Sequence, residues 1–198
     1  MPHDTKELTT RDRIIHAAFD LFHQKGVSAT SVDEILEKSG AGKSQFYHYF
    51  ASKEGLVREA IQSFAARLKS DASPFNRHME TWQDLEAWFM AFVGFQKSTG
   101  CARGCPLATI AYDLKPEDEL IRQDINMVFE FTRNSLAKLF CRLQAKGELK
   151  KDADPDELAG FCLHVMQGGL IASKVSKETS AFEASVRHAL AYLKSLKE

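Results

Sequence analysis

The segment from Lys38 to Lys53 concentrates side chains that could contact a polyanion. It contains three lysines, one histidine and no acidic residue. Lysine donates hydrogen bonds to phosphate and to guanine, and a glutamine such as Gln45 can pair with adenine through two hydrogen bonds. The formal net charge of the whole chain is −1, which argues against a protein that binds polyanions over its entire surface. The chemistry therefore predicts a local DNA-binding patch.

Two short helices joined by a glycine turn are predicted to position this patch. Ser31 and Glu34 have the S-x-x-E spacing of a capping box, which marks the start of the first helix. Gly40 supplies the left-handed conformation in which many helices end. The second helix then runs from about Lys43 to Phe50, and its N-terminal turn would meet base edges as in a helix-turn-helix.

The second helix also carries a recognisable motif. The run Phe-Tyr-His-Tyr-Phe at 46–50, followed by Ser-Lys-Glu at 52–54, resembles the signature of the TetR/AcrR family of transcriptional regulators. The Gly-Val at 26–27 and the Thr-Ser-Val at 30–32 resemble that family as well. The detailed resemblance extends over about residues 11–70, roughly a third of the chain.

Side-chain chemistry and the resemblance together give the candidate DNA contacts. Lys43, Ser44 and Gln45 occupy the turn that would face bases, and a helix N-terminus at Thr30 and Ser31 suits a phosphate. The resemblance adds base or backbone contacts by the aromatic residues and a phosphate contact by the last lysine. The full set is Thr30, Ser31, Lys43, Ser44, Gln45, Tyr47, His48, Tyr49 and Lys53. The competing interpretation is that the tyrosines are core residues and the lysines a solvated face.

Apolar residues recur at helical spacing along nearly the whole chain, and no alternating strand pattern competes. We therefore predict an all-α protein of nine helices with a TetR-like architecture. The expected organisation is a helix-turn-helix DNA-binding domain at 1–52, a connecting helix at 53–70, and an effector-binding and dimerisation domain at 71–198. Later helices are predicted at about 81–97, from 106, at about 121–147, at 155–177 and around 182–193.

The C-terminal part is rich in aromatic residues, and the chain has 14 phenylalanines. Such residues either fill the core or line a ligand cavity between helices. The resemblance implies a ligand-responsive regulator, so we expect a small, mostly apolar or aromatic effector. The candidate lining residues are Trp88, Phe92, Cys105, Tyr112, Phe129 and His164.

Cys105 offers an alternative way to respond to a signal. It precedes Pro106 at a predicted helix start, where unpaired N–H groups favour a thiolate, and Arg103 adds positive charge. Cys101 could act as a resolving partner. Some members of the family sense electrophiles or oxidants through cysteine, so the resemblance permits this role. The competing interpretation is a small buried hydrophobic residue.

The last two long helices are predicted to form a homodimer. Small residues there would let another helix approach closely, and the resemblance implies a four-helix bundle between two copies. The candidate interface consists of Leu158, Phe161, Val165, Gly168, Gly169, Ala172, Val186 and Leu190. The alternative is ordinary packing within one chain.

Other functional classes find less support in the sequence. An enzyme would need a nucleophile–base pair or a metal set, and His16, Cys141 and Cys162 each lie singly on helical patterns. A helical interaction module without DNA binding would not need the cationic helix. We expect no cofactor, because the four cysteines lack zinc-like spacing. Without an 18-residue apolar run or an apolar leader, we expect a cytoplasmic protein that does not bind membranes.

Overall fold

The computed structural model describes residues 8–70 and 78–198. These residues form nine α-helices and no strand, which confirms the predicted all-α fold. The predicted break at 71–76 lies outside the described residues. The helices are α1 (Thr10–Lys25), α2 (Val32–Ser39), α3 (Lys43–Tyr49), α4 (Lys53–Lys69), α5 (Trp82–Ser98), α6 (Pro106–Ala111), α7 (Glu119–Ala145), α8 (Pro155–Ser176) and α9 (Ser180–Ser195).

Local capping chemistry sets several of these helix ends. Ser31 Oγ accepts a hydrogen bond from Glu34 N, and Glu34 Oε2 accepts one from Ser31 N, so the predicted capping box starts α2. Gly40 ends α2 in the left-handed conformation with φ of 65°. Pro106 is the first residue of α6, and the Asp154 carboxylate caps α8. The sequence therefore determines these boundaries locally.

The chain forms two compact units. The first, unit 1, takes in Met1–Ala66 and Pro106–Ile125, and therefore contains α1–α3, most of α4, α6 and the first residues of α7. Buried apolar side chains from these helices, including Ile14, Phe22, Ile35, Phe46 and Leu56, form its core. Unit 1 thus adds residues from the middle of the sequence to the helix-turn-helix region. The functional division at 52/53 and 70/71 stays a prediction.

Unit 2 takes in Arg67–Cys105 and Asn126–Glu198. Its core is a cluster of large apolar side chains from α5, α7, α8 and α9, among them Trp82, Trp88, Phe89, Phe140, Met166 and Phe182. Among the described residues, α8 alone is long and apolar enough to cross a membrane by length and composition. Its buried side chains lie in the core of unit 2, so part of its apolar character serves packing within the chain.

Candidate nucleic-acid interface

Helix α3 is held in unit 1 by two phenylalanines. Phe46 and Phe50 are 1% and 3% exposed, and their ring centroids lie 5.6 Å apart. Because both rings point inward, the rest of the helix faces solvent, and Tyr47 is 66% exposed. The interpretation of the tyrosines as core residues is therefore wrong. We call the exposed set the outward face of α3; it consists of Lys43, Ser44, Gln45, Tyr47, His48 and Tyr49.

Lys43, in the first turn of α3, forms an exposed ion pair. Lys43 Nζ lies 3.0 Å from Asp33 Oδ1, and both side chains are more than 70% exposed. The hydrogen bond with Asp33 raises the pKa of Lys43, so the lysine stays charged. Exposed ion pairs contribute little free energy, so a phosphate or a base edge can replace Asp33 at small cost.

Gln45 has a local role that the sequence analysis missed. Its Oε1 accepts a hydrogen bond from Gly42 N at 3.0 Å, which closes the N-terminus of α3. A bidentate pair with adenine would require breaking this bond, although Nε2 is a donor that the cap does not use. The G-x-x-Q spacing at Gly42 was the signal that could have indicated the cap.

The hydroxyls of Thr30 and Ser31, expected to face a phosphate at the start of α2, form hydrogen bonds within the chain. Thr30 is 1% exposed, and its Oγ1 donates to Gly26 O at 2.7 Å. Ser31 is exposed, but its hydroxyl donates to Glu34 Oε2 at 3.0 Å. Hydrogen bonds from Lys25 and then from Ser31 lower the pKa of Glu34 to about 2, so this carboxylate is ionised. A phosphate contact at this helix start, which stays a prediction, would compete with the Glu34 carboxylate for the Ser31 amide and hydroxyl.

Lys53 contacts the turn before α2. Its Nζ donates to Val27 O at 2.6 Å, and the side chain is partly buried. Burial lowers the pKa of Lys53, while the carboxylates of Asp113 and Glu34 oppose that shift. A phosphate contact, which stays a prediction, would use the remaining ammonium protons.

Asp113 is a second contact to this turn and was not found from the sequence. Its Oδ2 accepts a hydrogen bond from Ser28 N at 3.0 Å across a sequence separation of 85 residues. A further long-range pair joins Arg58 Nε to Asp124 Oδ2 at 2.6 Å, and Asp124 is 3% exposed. No local pattern predicts such contacts, because they depend on how the helices of unit 1 pack.

The candidate ligand residues fall into two groups. Trp88 is buried, with its ring centroid 5.0 Å from that of Phe92, and Phe129 and Cys105 pack partly buried against the same core. Tyr112 is 77% exposed and belongs to unit 1, so its place in a ligand site stays a prediction. His164 is also exposed, because the buried side of α8 passes through the neighbouring positions 162, 163 and 166.

All four cysteines are free thiols. Cys105 is half-buried, and Gln167 Nε2 donates to its Sγ at 3.5 Å. Cys101 is buried, whereas Cys141 is exposed. Burial raises the pKa of the Cys162 thiol to about 12, so this thiol is unreactive near neutral pH. Within residues 8–70 and 78–198, no group of three His, Cys, Asp or Glu side chains could hold a metal ion.

The neighbouring glycines of α8 have different surroundings. A Cβ at Gly169 would overlap the ring of Phe182, so Gly169 lets α9 pack closely within the same chain. A Cβ at Gly168 would meet no atom within 4 Å. The close approach predicted for a partner copy is thus already explained at Gly169 by packing within one chain, but not at Gly168.

The remaining candidate interface residues also fall into two groups: some are buried within the chain and others are exposed to solvent. Leu158, Val186 and Leu190 are buried in the core of unit 2, so they are not exposed for a partner. On the solvent side, Phe161 is 37% and Tyr192 50% exposed, and their rings meet edge to face at 5.6 Å. We call the exposed surface around this pair the outward face of α8 and α9; it consists of Phe161, Gly168, Ile171, Ala172, Val175 and Tyr192, with Val165 partly exposed beside it.

Comparison with known proteins identifies the family. Residues 14–60, which contain α2 and α3, match the family described as "Bacterial regulatory proteins, tetR family". Residues 81–189 match the description "Tetracyclin repressor-like, C-terminal domain". The chain belongs to the TetR family. It is therefore a DNA-binding transcriptional regulator of that family, and α2 and α3 form its helix-turn-helix.

Individual TetR-family proteins resemble the chain over most of its length. The transcriptional regulator AcuR of Cereibacter sphaeroides is 31% identical over 82% of this chain and 75% of its own. The HTH-type transcriptional repressor ComR of Escherichia coli is 28% identical over 83% of this chain and 79% of its own. A cysteine mutant of the regulator CifR, solved with a 26-base-pair double-stranded operator, superposes with a TM-score of 0.76 at 24% identity, covering 96% and 98% of the two chains.

Proposed function

We propose that this TetR-family regulator is a repressor that binds a double-stranded operator as a homodimer through the outward face of α3. The observation that carries the proposal is the contrast on α3 between two buried phenylalanines and six exposed side chains. The related ComR is a repressor by name, and CifR was solved with operator DNA. Such a regulator acts on DNA in the cytoplasm.

A single copy of α3 is too short to recognise a specific operator by itself. The helix has seven residues, so it is about 10 Å long, which matches about three base-pair steps. Three base pairs recur too often in a genome to define an operator. A dimer with two-fold symmetry doubles the sequence that is read and predicts operator half-sites related by the same symmetry.

The outward face of α8 and α9 supports the proposed homodimer. Its large side chains are apolar yet exposed: Ile171 is 46% and Val175 79% exposed, further along α8 than the Phe161–Tyr192 pair. Several exposed apolar side chains on one side of a helix are typical of a protein contact. The open space at Gly168 would admit a helix of the partner copy.

The proposed effector is a small, mostly apolar or aromatic molecule bound in unit 2. Phe92 and Phe129 are only partly buried against the core, so a ligand can reach them, whereas fully buried Trp88 is needed for folding. To release DNA, the ligand must prefer the conformation that does not fit the operator. We expect Phe92→Ala or Phe129→Ala to weaken release by the effector while leaving DNA binding intact.

A cysteine-based sensor is the alternative, and the partial exposure of Cys105 is the observation that favours it. An electrophile or oxidant would modify its Sγ, which contacts Gln167 on α8. Titration with iodoacetamide near neutral pH tests this alternative, with buried Cys162 as an internal control. Labelling of Cys105 faster than that of a free thiol, with loss of oxidant-triggered release in Cys105→Ser, would support it over a non-covalent ligand. Labelling no faster than that of a free thiol would exclude it.

The main proposal is tested by selecting duplexes from a random double-stranded library with the wild-type protein. We expect enrichment of a sequence with two-fold symmetry, and binding that weakens steeply as salt rises. Lys43→Ala should reduce affinity for that duplex by about 10- to 100-fold. Failure of the wild-type protein to enrich any duplex would contradict the proposal.

A further inference from the structure

The turn Gly26–Thr30 connects α1 to the helix-turn-helix and fixes where α2 begins. Two of its hydrogen bonds are internal: Thr30 Oγ1 to Gly26 O at 2.7 Å and Thr30 N to Val27 O at 3.2 Å. The last residue of the turn immediately precedes Ser31, the N-cap of α2. A displacement of the turn would therefore shift α2 and, through the tight connection at Gly40, also α3.

Two residues outside the turn hold its middle. Lys53, the first residue of α4, donates to Val27 O at 2.6 Å. Asp113, which follows α6, accepts from Ser28 N at 3.0 Å. Ser28 itself is exposed, so water would compete for its amide if Asp113 were absent. A carboxylate acceptor makes this hydrogen bond stronger than one to a neutral group.

Gly26 fits this arrangement in two ways. Its φ of 84° lies in the region that favours glycine. A Cβ at this position would also overlap the carboxylate of Asp113. Any other residue would therefore strain the backbone and push Asp113 away from Ser28.

Within unit 1, an ion pair anchors the segment that follows Asp113. Arg58 on α4 donates to Asp124 on α7, with Nε to Oδ2 at 2.6 Å, and the Asp124 side chain is almost fully buried. Asp113 lies between α6 and α7, so the residues on both sides of it are anchored. Its carboxylate is thus presented to the turn from an ordered segment.

We propose that Asp113 is a positioning residue for DNA recognition, whose carboxylate fixes the turn Gly26–Thr30 and thereby the orientation of α2 and α3. The inference rests on the proposed role of α3. It assigns a function in DNA binding to a residue outside the helix-turn-helix, supplied by the segment after α6.

Two effects of replacing Asp113 on DNA affinity can be separated: the loss of its negative charge and the loss of the hydrogen-bond acceptor for Ser28. A carboxylate near a DNA-binding surface repels phosphates, so removing a charge alone should leave affinity unchanged or raise it. Removing the acceptor for Ser28 should instead lower affinity. Asp113→Asn removes the charge and keeps an acceptor oxygen, whereas Asp113→Ala removes both. Glu117→Ala removes one exposed charge from the same loop and serves as the matched control.

The experiment measures affinity for the duplex that the wild-type protein enriches from a random library. We expect Asp113→Ala to bind about tenfold more weakly, the effect of losing one hydrogen bond to a charged group. Asp113→Asn should stay within about threefold of the wild type, and Glu117→Ala should match or exceed it. Wild-type affinity in Asp113→Ala, or equal weakening in the Asn and Ala variants, would overturn the proposal.

Hydrogen exchange at the Ser28 amide gives a readout that needs no DNA. We expect protection of this amide in the wild type and in Asp113→Asn, and its loss in Asp113→Ala under conditions where the Ala variant remains folded. An unprotected Ser28 amide in the wild type would overturn the inference, even if Asp113→Ala failed to fold. If Ser28 is protected as expected but the wild type enriches no duplex, the proposed DNA contact fails while the turn contact stands.

Discussion

The outward faces of α3 and of α8 differ in chemistry although both helices bury their opposite side in a core. On α3 the exposed side chains are a lysine, a serine, a glutamine, a histidine and two tyrosines. On α8 the exposed side chains include Phe161, Ile171 and Val175, and α9 adds Tyr192. Hydrogen-bond donors suit a polyanion, whereas contiguous apolar area suits another protein surface. The two faces therefore fit the two proposed partners, DNA at one and a second copy of the chain at the other.

We expect the largest effect from a variant that disrupts the outward face of α8 and α9. Phe161→Glu combined with Tyr192→Glu places two charges where the proposed partner copy packs, so the dimer dissociation constant should rise by at least about 100-fold. Sedimentation velocity at micromolar concentration measures the change. Lys151→Glu, an exposed charge change before α8, is the control. A double variant that stays as dimeric as the wild type would mean that the interface lies elsewhere.

The next prediction separates packing within the chain from packing between chains. Gly169→Ala should lower the free energy of unfolding by about 1–3 kcal/mol, because its Cβ overlaps Phe182. In the Phe161→Glu and Tyr192→Glu background, where no partner copy covers the site, Gly168→Ala should raise the free energy of unfolding by up to about 1 kcal/mol, because the site is then open and alanine favours the helix. Urea unfolding of both variants gives the comparison. Equal destabilisation would show that the two glycines do not differ as the structure indicates.

A smaller effect is expected at Thr30. Thr30→Val keeps the shape but leaves Gly26 O without its hydroxyl donor, which should cost about 1 kcal/mol of stability. Because Thr30 is buried, the affinity for the operator should not change at a given salt concentration. Affinity lowered by a similar factor at every salt concentration would instead indicate that the hydroxyl contacts a phosphate.

The smallest effect concerns pH. The pKa of Glu34 is lowered to about 2 in the folded protein by hydrogen bonds from Lys25 and Ser31, below its ordinary value of 4.5. Its contribution to stability is therefore present above about pH 4.5 and is lost as pH falls towards 2. Glu34→Gln should flatten the fall in thermal stability over that window. An identical pH profile in this variant would show that Glu34 does not contribute.

Local sequence predicted the helices and their ends, because caps such as Ser31 with Glu34, or Pro106, act within a few residues. It also predicted the exposed tyrosines of α3, since the inward phenylalanines are four residues apart. It did not reveal the contact between Asp113 and Ser28, which depends on helix packing. It did not show either that Thr30 is buried and Tyr112 exposed, and their contacts with DNA or a ligand stay predictions.

The central claim is that the outward face of α3 contacts DNA while dimerisation uses a separate surface. The direct test is a variant with Lys43→Ala, Gln45→Ala and Tyr47→Ala, assayed on the enriched duplex by fluorescence anisotropy and in parallel by sedimentation. We predict affinity lower by at least about 100-fold with the dimer unchanged. Wild-type affinity for the duplex in this variant would contradict the account.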